Sequence, residues 1–175
     1  MQVSEKLGAD PNRVVTFHSL SKRSNLPGLR SGFAASGEKN ITQMKRLKAY
    51  SGAPIPEPLQ HVSASVWSDE DHVVKNRKIY EKKYNVADQI FDDFDGYLSP
   101  EAGFFLWINV DDGEKVALEL WQNCGVRVLP GRYLAKEFNG QSPGDQFIRV
   151  AMVSELEETK SGLLKIRKFL LEKQT

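Results

Sequence analysis

The sequence predicts an α/β protein made of two segments that a long helix connects. Near the N-terminus, two short apolar strands flank a polar loop that contains several glycines. Apolar residues then recur at helical spacing over residues 73–94, and strands and helices alternate from about residue 95 onward. This order divides the chain into residues 1–55 with the loop, connecting helices over residues 56–94, and a compact α/β unit over residues 95–175.

The first segment is predicted to contain a strand, a loop, a second strand and a helix. Residues 2–8 suit a short helical turn, and residues 14–17 have the apolar character of a buried strand that runs into the loop. Residues 31–35 form the strand that leaves it. Both strands keep unpaired edges unless other residues or another chain cover them. Residues 38–49 carry apolar residues at helical spacing and predict a helix that ends near Gly52.

The middle of the chain is predicted to hold a stiff turn and two helices. Three prolines make residues 53–58 extended, because proline removes a backbone donor and restricts the residue before it. A helix resumes over residues 59–66, and Ser68 is placed to cap a longer helix that starts near Asp69. This longer helix carries one continuous apolar stripe, formed by Val73, Tyr80, Tyr84, Ala87, Phe91 and Phe94.

The C-terminal segment reads as strand, helix, strand, strand and helix. An almost unbroken apolar run over residues 104–110 predicts a buried strand. Residues 114–124 predict a helix that stops at Gly125. Short strands follow over residues 126–129 and 147–153, and a closing helix is marked by apolar residues at Leu156, Leu163, Ile166 and Leu170.

Composition favours a globular protein that acts on a small molecule. Of 175 residues, 40% are hydrophobic and 27% charged, and 24 basic against 23 acidic residues leave a net charge of +1. Such a balance gives no general attraction to nucleic acid or to an anionic membrane. The single Cys124 suits a reducing cytoplasm, and no apolar run approaches the roughly 18 residues of a membrane span. His18, His61 and His72 lack the spacing of a metal site, so no metal is expected.

Lys22 is the first candidate functional residue, because it lies in the polar loop where a strand ends. Loops at strand ends are the usual place for active residues in α/β sheets. A lysine amine becomes nucleophilic when burial or a neighbouring cation, such as Arg23 or Arg30 here, lowers its pKa, and it then forms a Schiff base with an aldehyde. Ser19, Ser21 and Arg30 supply donors for a phosphate. An aldehyde and a phosphate together describe pyridoxal phosphate; the alternative is a solvated surface turn.

Arg149 is the second candidate, because it interrupts an apolar strand. A guanidinium in such a strand is costly to bury unless an anion pairs with it. Two partners are open: a protein carboxylate such as Glu155 or Glu158, or the α-carboxylate of an amino-acid ligand, bound through two hydrogen bonds.

The loop resembles a motif of a known family. Ser19-x-x-Lys22 followed by Gly28-x-Arg30-x-Gly32 is similar to the lysine motif of the class I/II aminotransferases, the fold-type I pyridoxal phosphate enzymes. Within that family, the stretches SLSKRSNLPGLRSGF and SGAPIPEPLQHVSA look most like the succinyldiaminopimelate aminotransferases of lysine biosynthesis. The resemblance covers nearly all of the chain and implies the C-terminal half of such an enzyme.

The resemblance also implies how the segments divide an aminotransferase fold. Residues 1–55 would be a remnant of the cofactor-binding large domain, residues 56–94 the connecting helices, and residues 95–175 the small C-terminal α/β domain. Glu5 and Asp10 are the acidic residues before the lysine, and neither has the family's Asp-x-x-Tyr setting for the residue that holds a proton on the cofactor's pyridine nitrogen.

The site residues that the resemblance implies are few. Lys22 would be the catalytic residue, covalently bound to pyridoxal 5'-phosphate if the pocket is complete. Ser19, Ser21 and Arg30 would bind the same cofactor, and Arg149 would bind the substrate carboxylate. Substrates would be an amino acid and a 2-oxo acid, and a homo-oligomer, such as a homodimer, is expected.

Two hypotheses about function follow. In the first, the chain is the C-terminal portion of an aminotransferase that is inactive without the missing N-terminal half. In the second, it is a truncated, non-catalytic domain that acts as a self-associating or interaction module. Finding a companion polypeptide that carries the Asp-x-x-Tyr segment would favour the first, and a stable self-associated fold without cofactor would favour the second.

Overall fold

The computed structural model describes residues 2–52 and 54–174, which divide into two compact units. Unit 1 comprises residues 1–76 and unit 2 comprises residues 77–175. Together the units contain a two-stranded sheet and a three-stranded sheet with the helices around them. The α/β fold class predicted from the sequence is therefore confirmed.

Unit 1 holds the two-stranded sheet and most of the shorter helices. Two short 3₁₀ turns, Pro11–Arg13 and Pro27–Leu29, precede its two strands. The helices and strands are α1 (Gln2–Lys6), β1 (Thr16–Ser19), α2 (Leu20–Arg23), β2 (Gly32–Ala35), α3 (Glu38–Ser51) and α4 (Glu57–Ser68), and α5 (Asp71–Ile90) begins in this unit.

Strands β1 and β2 form an antiparallel pair around the polar loop, as the sequence predicts. The register runs from Thr16 opposite Ala35 to Ser19 opposite Gly32. The prediction of a buried first strand is wrong, because the strand starts at Thr16 and the side chain of Phe17 is 72% exposed. Among the described residues each of these strands pairs only with the other, so most of their apolar surface stays uncovered.

The middle helices begin at slightly different places from those predicted. Helix α4 starts at Glu57, so the extended turn ends two residues early. Pro58 is accommodated in the first helical turn, where its missing N–H would have had no partner. Ala53, at the start of the predicted turn, lies outside the described residues.

The predicted cap of the long helix is also wrong. Ser68 ends helix α4, and its hydroxyl donates to the carbonyl of Ala64 instead. The carboxylate of Asp69 accepts from the backbone N–H of Asp71 at 2.9 Å and so satisfies one of the free donors at the start of α5. Helix α5 ends at Ile90, and the apolar stripe continues in the following turn through buried Phe91 and Phe94.

Unit 2 has the order of elements that the sequence predicts for the C-terminal segment. The helices and strands after α5 are β3 (Phe105–Asn109), α6 (Gly113–Cys124), β4 (Leu129–Pro130), β5 (Phe147–Ala151) and α7 (Leu156–Gln174), and a short 3₁₀ turn, Gly131–Leu134, follows β4. The three strands form an antiparallel sheet in the order β3, β5, β4.

The sheet of unit 2 has one buried face and one open face. Leu106 and Ile108 of β3 are fully buried, and Ile148 of β5 is buried beside them. The alternate residues point the other way, so Trp107 is exposed and Arg149 only half-buried. The prediction of a uniformly buried strand at residues 104–110 is therefore wrong, because a sheet covered on one side alternates.

Helix α6 packs against this sheet and ends as predicted. The carboxylate of Asp112 accepts from the N–H groups of Glu114 and Lys115 at 3.1 and 3.0 Å and caps the helix. Gly125 follows the helix with φ of 65°, the left-handed conformation that favours glycine.

No helix of residues 2–52 and 54–174 has the length and apolar character needed to cross a membrane.

Candidate functional site

The lysine-bearing turn in unit 1 is fixed by its flanking residues. The Ser19 hydroxyl accepts from the backbone N–H of Ser21 at 3.1 Å and caps helix α2. It also lies 3.1 Å from the Ser21 hydroxyl and 3.3 Å from the carbonyl oxygen of Ser31. Leu20 is fully buried, and its N–H donates to the same Ser31 carbonyl at 3.1 Å. The turn that carries exposed Lys22 is thus anchored to the strand that follows the loop.

Arg30 lies at the other end of the loop, just before β2. Its backbone is left-handed, with φ of 51° and ψ of 35°, a conformation that costs a non-glycine residue free energy. One guanidinium nitrogen donates to the carbonyl of Pro27 at 2.9 Å. No carboxylate of the described residues pairs with this guanidinium, so its other donors remain available for an anion.

The register of the sheet explains why these residues share one end of it. Ser19 pairs with Gly32, so the residues directly after β1 and directly before β2 emerge at the same end. Gly32 allows the close approach, because a Cβ at this position would lie 2.5 Å from the carbonyl oxygen of His18. Ser21, Lys22 and Arg30 therefore belong to one polar end of the β1–β2 sheet.

Arg23 has a structural role that the sequence did not indicate. Its guanidinium lies 4.9 Å from the centroid of the Trp67 ring and forms an ion pair with Glu70. The expectation that Arg23 acts as an activating cation beside the lysine finds no support, because Glu70 balances its charge. Trp67 also contacts the rings of His18 and Phe33, which stack on each other at 5.8 Å, so His18 is a packing residue.

The polar end of the β1–β2 sheet has the donors that a phosphate-bearing aldehyde requires. An exposed primary amine can bond to a carbonyl carbon, and two hydroxyls and a guanidinium can bind phosphate oxygens. These groups are Lys22, Ser19, Ser21 and Arg30. The residues present therefore fit pyridoxal phosphate in their donor chemistry. Among the described residues, no cluster of His, Cys, Asp and Glu could hold a metal ion.

Arg149 lies in unit 2, at the centre of the open face of its sheet. It pairs in register with Trp107 of β3 and with Leu129 of β4. Its guanidinium lies 4.5 Å from the centroid of the Phe105 ring. Neither Glu155 nor Glu158, nor any other carboxylate in the described part of the chain, forms an ion pair with it, so the first of the two partners considered for Arg149 is not found.

A second arginine of unit 2, Arg132, is held by protein carboxylates. It lies 3.1 Å from Glu114 and 3.3 Å from Asp145. The Tyr133 hydroxyl donates to Glu114 at 2.6 Å. This hydrogen bond, followed by that from Arg132, lowers the pKa of the Glu114 carboxyl below its ordinary value. Arg132 thus fixes the turn after β4 to the start of α6.

Sequence reasoning missed Lys83 of helix α5, which is a buried charged residue. Only 4% of this residue is exposed, and its ammonium donates to the backbone carbonyls of Met152 and Ser154. A signal was present, because Lys83 falls on the apolar stripe of the helix, three residues after Tyr80 and four before Ala87.

Comparison with known families identifies the class of protein that carries these features. Residues 2–163 match the model of the family "Aminotransferase class I and II". The chain belongs to this family, whose members depend on pyridoxal phosphate and transfer amino groups.

The relatives of the chain are aminotransferases of several kinds. A transaminase from Streptomyces rimosus, OxyQ, which acts on 4-dedimethylamino-4-oxo-anhydrotetracycline by its name, is 26% identical over 160 residues, 91% of this chain and 43% of the relative. An LL-diaminopimelate aminotransferase from Dehalococcoides mccartyi is also 26% identical, over 89% of this chain and 40% of its own length.

Two solved structures share the fold. An aminotransferase from Neisseria meningitidis has a TM-score of 0.91 and 33% identity, over 97% of this chain and 44% of that protein. The aminotransferase AspB from Helicobacter pylori has a TM-score of 0.87 and 30% identity over the same shares. The chain therefore spans less than half the length of the relatives that it matches.

Proposed function

We propose that this chain is the lysine-bearing, C-terminal portion of a pyridoxal phosphate-dependent aminotransferase. It would transfer an amino group between an amino acid, with glutamate as the donor, and a 2-oxo acid. The observation that carries the proposal is the anchored turn of Lys22, which shares one end of a sheet with Ser19, Ser21 and Arg30, in a chain of this family.

Lys22 has two tasks under this proposal. Its amine, exposed on α2, would hold the cofactor covalently at the aldehyde carbon. With an amino-acid substrate bound, the Nζ atom of Lys22 would act as the general base that accepts the proton from the substrate's Cα. When bound, the cofactor supplies an electron-withdrawing ring that stabilises the negative charge developing at Cα.

The remaining site residues bind and orient. The hydroxyls of Ser19 and Ser21 and the unpaired donors of Arg30 hold the phosphate group, and two parallel N–H donors make a guanidinium well suited to that task. Arg149 binds the α-carboxylate of the substrate. Its lack of a protein carboxylate partner, among the described residues, supports this role, because an incoming carboxylate has no internal ion pair to displace.

The resemblance places the acidic partner of the cofactor's pyridine nitrogen before the lysine, and we propose that neither acidic residue there supplies it. Of the two acidic residues before Lys22, Asp10 is already engaged, since its carboxylate accepts from the backbone N–H and the side-chain amide of Asn12 at 2.9 and 3.1 Å. We therefore propose that this chain turns over only together with a polypeptide that corresponds to the rest of the relatives' length.

The test is a transamination assay with the purified chain, produced in a host whose own aminotransferases are removed. The chain alone should convert no glutamate to 2-oxoglutarate, and addition of a polypeptide that carries the remaining length of a relative should restore conversion. The matched control is the Lys22→Arg chain, which keeps the charge and should stay inactive with the same complement. Turnover by the chain alone, or by the Lys22→Arg mixture, would contradict the proposal.

The same complemented assay addresses the substrate. We propose N-succinyl-2-amino-6-oxopimelate as the acceptor, because two stretches near the lysine resemble the succinyldiaminopimelate aminotransferases. The relatives that act on LL-diaminopimelate support a place in lysine biosynthesis without fixing the acceptor. In the reverse direction, with 2-oxoglutarate as the acceptor, a higher kcat/KM for LL-diaminopimelate than for N-succinyl-LL-diaminopimelate as the amino donor would reject the narrower assignment.

We also propose that the chain associates with itself. In unit 1, apolar side chains such as Phe17 and Leu47 are largely exposed, and Tyr50 is 94% exposed. Exposed apolar side chains favour association where they lie next to one another. Light scattering should show a homo-oligomer, and a monodisperse monomer at high concentration would count against this part of the proposal.

A further inference from the structure

Lys83 is a buried cation that the proposed mechanism does not use. Its Nζ atom donates to the Met152 carbonyl at 2.8 Å and to the Ser154 carbonyl at 2.6 Å, and it lies 5.1 Å from the centroid of the Tyr80 ring. Lysine has three N–H donors, so two carbonyls and one aromatic face account for all of them. No carboxylate in the described part of the chain pairs with it.

The two carbonyls belong to the segment that follows the arginine-bearing strand. Met152 comes directly after β5, and its own N–H donates to the Phe104 carbonyl at 2.9 Å, next to the first pair of the β3–β5 ladder. Ser154 lies in the turn before α7, where its carbonyl also accepts from the Thr159 hydroxyl at 3.0 Å. Lys83 therefore attaches the end of β5 and the start of the following turn to helix α5.

The position of the Arg149 guanidinium depends on the position of the C-terminal end of β5. Arg149 precedes Met152 by three residues, and its guanidinium rests on Phe105, the neighbour of Phe104. If the end of β5 moved relative to β3, the contact between guanidinium and ring would be lost, because it spans these two strands. An unpaired cation half-buried in this way keeps one position only while both strands keep their register.

We infer that Lys83 is a positioning residue that fixes the orientation of Arg149 through the Met152 and Ser154 carbonyls. The inference deepens the proposed function, since it rests on Arg149 as the carboxylate-binding residue. Lys83 itself touches neither substrate nor cofactor in this account. If the ammonium were removed, the buried Met152 carbonyl would lose this donor and the Ser154 carbonyl would keep only the Thr159 hydroxyl, so the strand end would rearrange to find other partners.

The test uses the full chain and compares Lys83→Met with Lys165→Met. The control removes another lysine of unit 2 that donates to a backbone carbonyl, that of Cys124 at 3.3 Å, away from β5. The first readout is the NMR chemical shift of the Arg149 side chain, which the Phe105 ring displaces through its ring current. The resonance of the folded state is measured, so a variant that is less stable but still folds in the same way keeps the same chemical shift.

The second readout is the affinity for glutarate, a dicarboxylate probe, measured by titration. Lys83→Met should lose the ring-current shift of Arg149 and bind glutarate more weakly by on the order of tenfold, as expected when a binding group is misplaced. Lys83→Arg keeps a cation with N–H donors, so it should retain most of the ring-current shift of Arg149 and most of the affinity for glutarate. If Lys83→Met does not fold, Lys83→Gln, with one amide donor group, serves in its place.

The outcomes separate this inference from the proposed function. An unchanged Arg149 shift in Lys83→Met or Lys83→Gln would overturn the inference, as would an equal change in Lys165→Met. If the wild-type chain binds glutarate no better than Arg149→Met, the proposed role of Arg149 fails. The chemical shift then still decides whether Lys83 positions that residue.

Discussion

Two helical glycines of unit 2 should respond in opposite ways to the same substitution. Gly113 begins α6 where the helix packs against β5, and its N–H donates to the Asp145 carbonyl at 2.8 Å. A Cβ there would overlap the carbonyl oxygen of Phe147 and lie 3.0 Å from that of Asp145. Both obstacles are backbone atoms, so the helix and strand must separate. At Gly162, inside α7, an added Cβ would have no atom within 4 Å apart from the neighbouring residues and backbone of the helix itself.

The surroundings of each glycine set the direction of the effect. Gly113→Ala should lower the free energy of unfolding by about 2 kcal/mol, the usual cost of overpacking a close contact. Gly162→Ala should raise it by about 0.5–1 kcal/mol, because alanine loses less conformational entropy in a helix. The two variants add the same methyl group, so the difference in sign depends only on the surroundings.

Native-state hydrogen exchange of the core amides is the suitable assay, because it measures the unfolding free energy of unit 2 separately from unit 1. The amide of buried Ile148 reports on the sheet. Equal protection of this amide in Gly113→Ala and in the wild-type chain would show that the contact between α6 and β5 tolerates a Cβ. Destabilisation by Gly162→Ala would show instead that α7 has a neighbour on that side.

Two further predictions concern the start of α6. Because Tyr133 and then Arg132 lower the pKa of Glu114, its stabilising contribution should be complete above the ordinary carboxyl pKa and be lost as the pH falls through the lowered value. Urea midpoints measured against pH should show this loss in the wild-type chain and not in Glu114→Gln. Asp112→Ala should cost about 1 kcal/mol of stability, since it removes the helix cap, whereas Asp112→Asn should retain most of it. Equal midpoints for the two Asp112 variants would show that the capping hydrogen bonds contribute nothing.

Features set by neighbouring residues in the chain could be predicted from the sequence. The helix ending at Gly125 is one example, because a left-handed residue after a helix is a local requirement that glycine meets. The two strands around Lys22 are another, since short apolar runs on either side of a polar loop suffice to indicate them. The order of elements in unit 2 followed from the same kind of signal.

Features that depend on residues distant in the chain could not be predicted. The pairing of Arg23 with Glu70 joins residues 47 positions apart, and no local pattern distinguishes it from a free cation beside the lysine. Lys83 reaches a carbonyl 69 positions away. The prediction that the first strand is buried was wrong for a related reason. Apolar residues show that a strand can be buried, but the exposure of Phe17 depends on whether residues distant in the chain cover it.

The candidate site also has one part that local sequence spacing could predict and one part that it could not. The spacing of Ser19, Lys22 and Arg30 was sufficient to suggest a cofactor for which the structure has suitable donors at one end of a sheet. The partner of Arg149 could not be chosen from the sequence, because a protein carboxylate and a substrate carboxylate satisfy a buried guanidinium equally well. Among the described residues neither Glu155 nor Glu158 forms an ion pair with Arg149, whose guanidinium lies on the Phe105 ring instead.

The identity of the cofactor lysine is the central claim, and covalent labelling tests it most directly. The pure chain would be incubated with pyridoxal phosphate, reduced with borohydride, and searched for pyridoxyl peptides by mass mapping. We predict saturable labelling at Lys22 that Lys22→Arg abolishes and that Lys48→Arg, a change at an exposed lysine of α3, leaves intact. Absence of label, or label scattered over surface lysines with no preference for Lys22, would contradict the account.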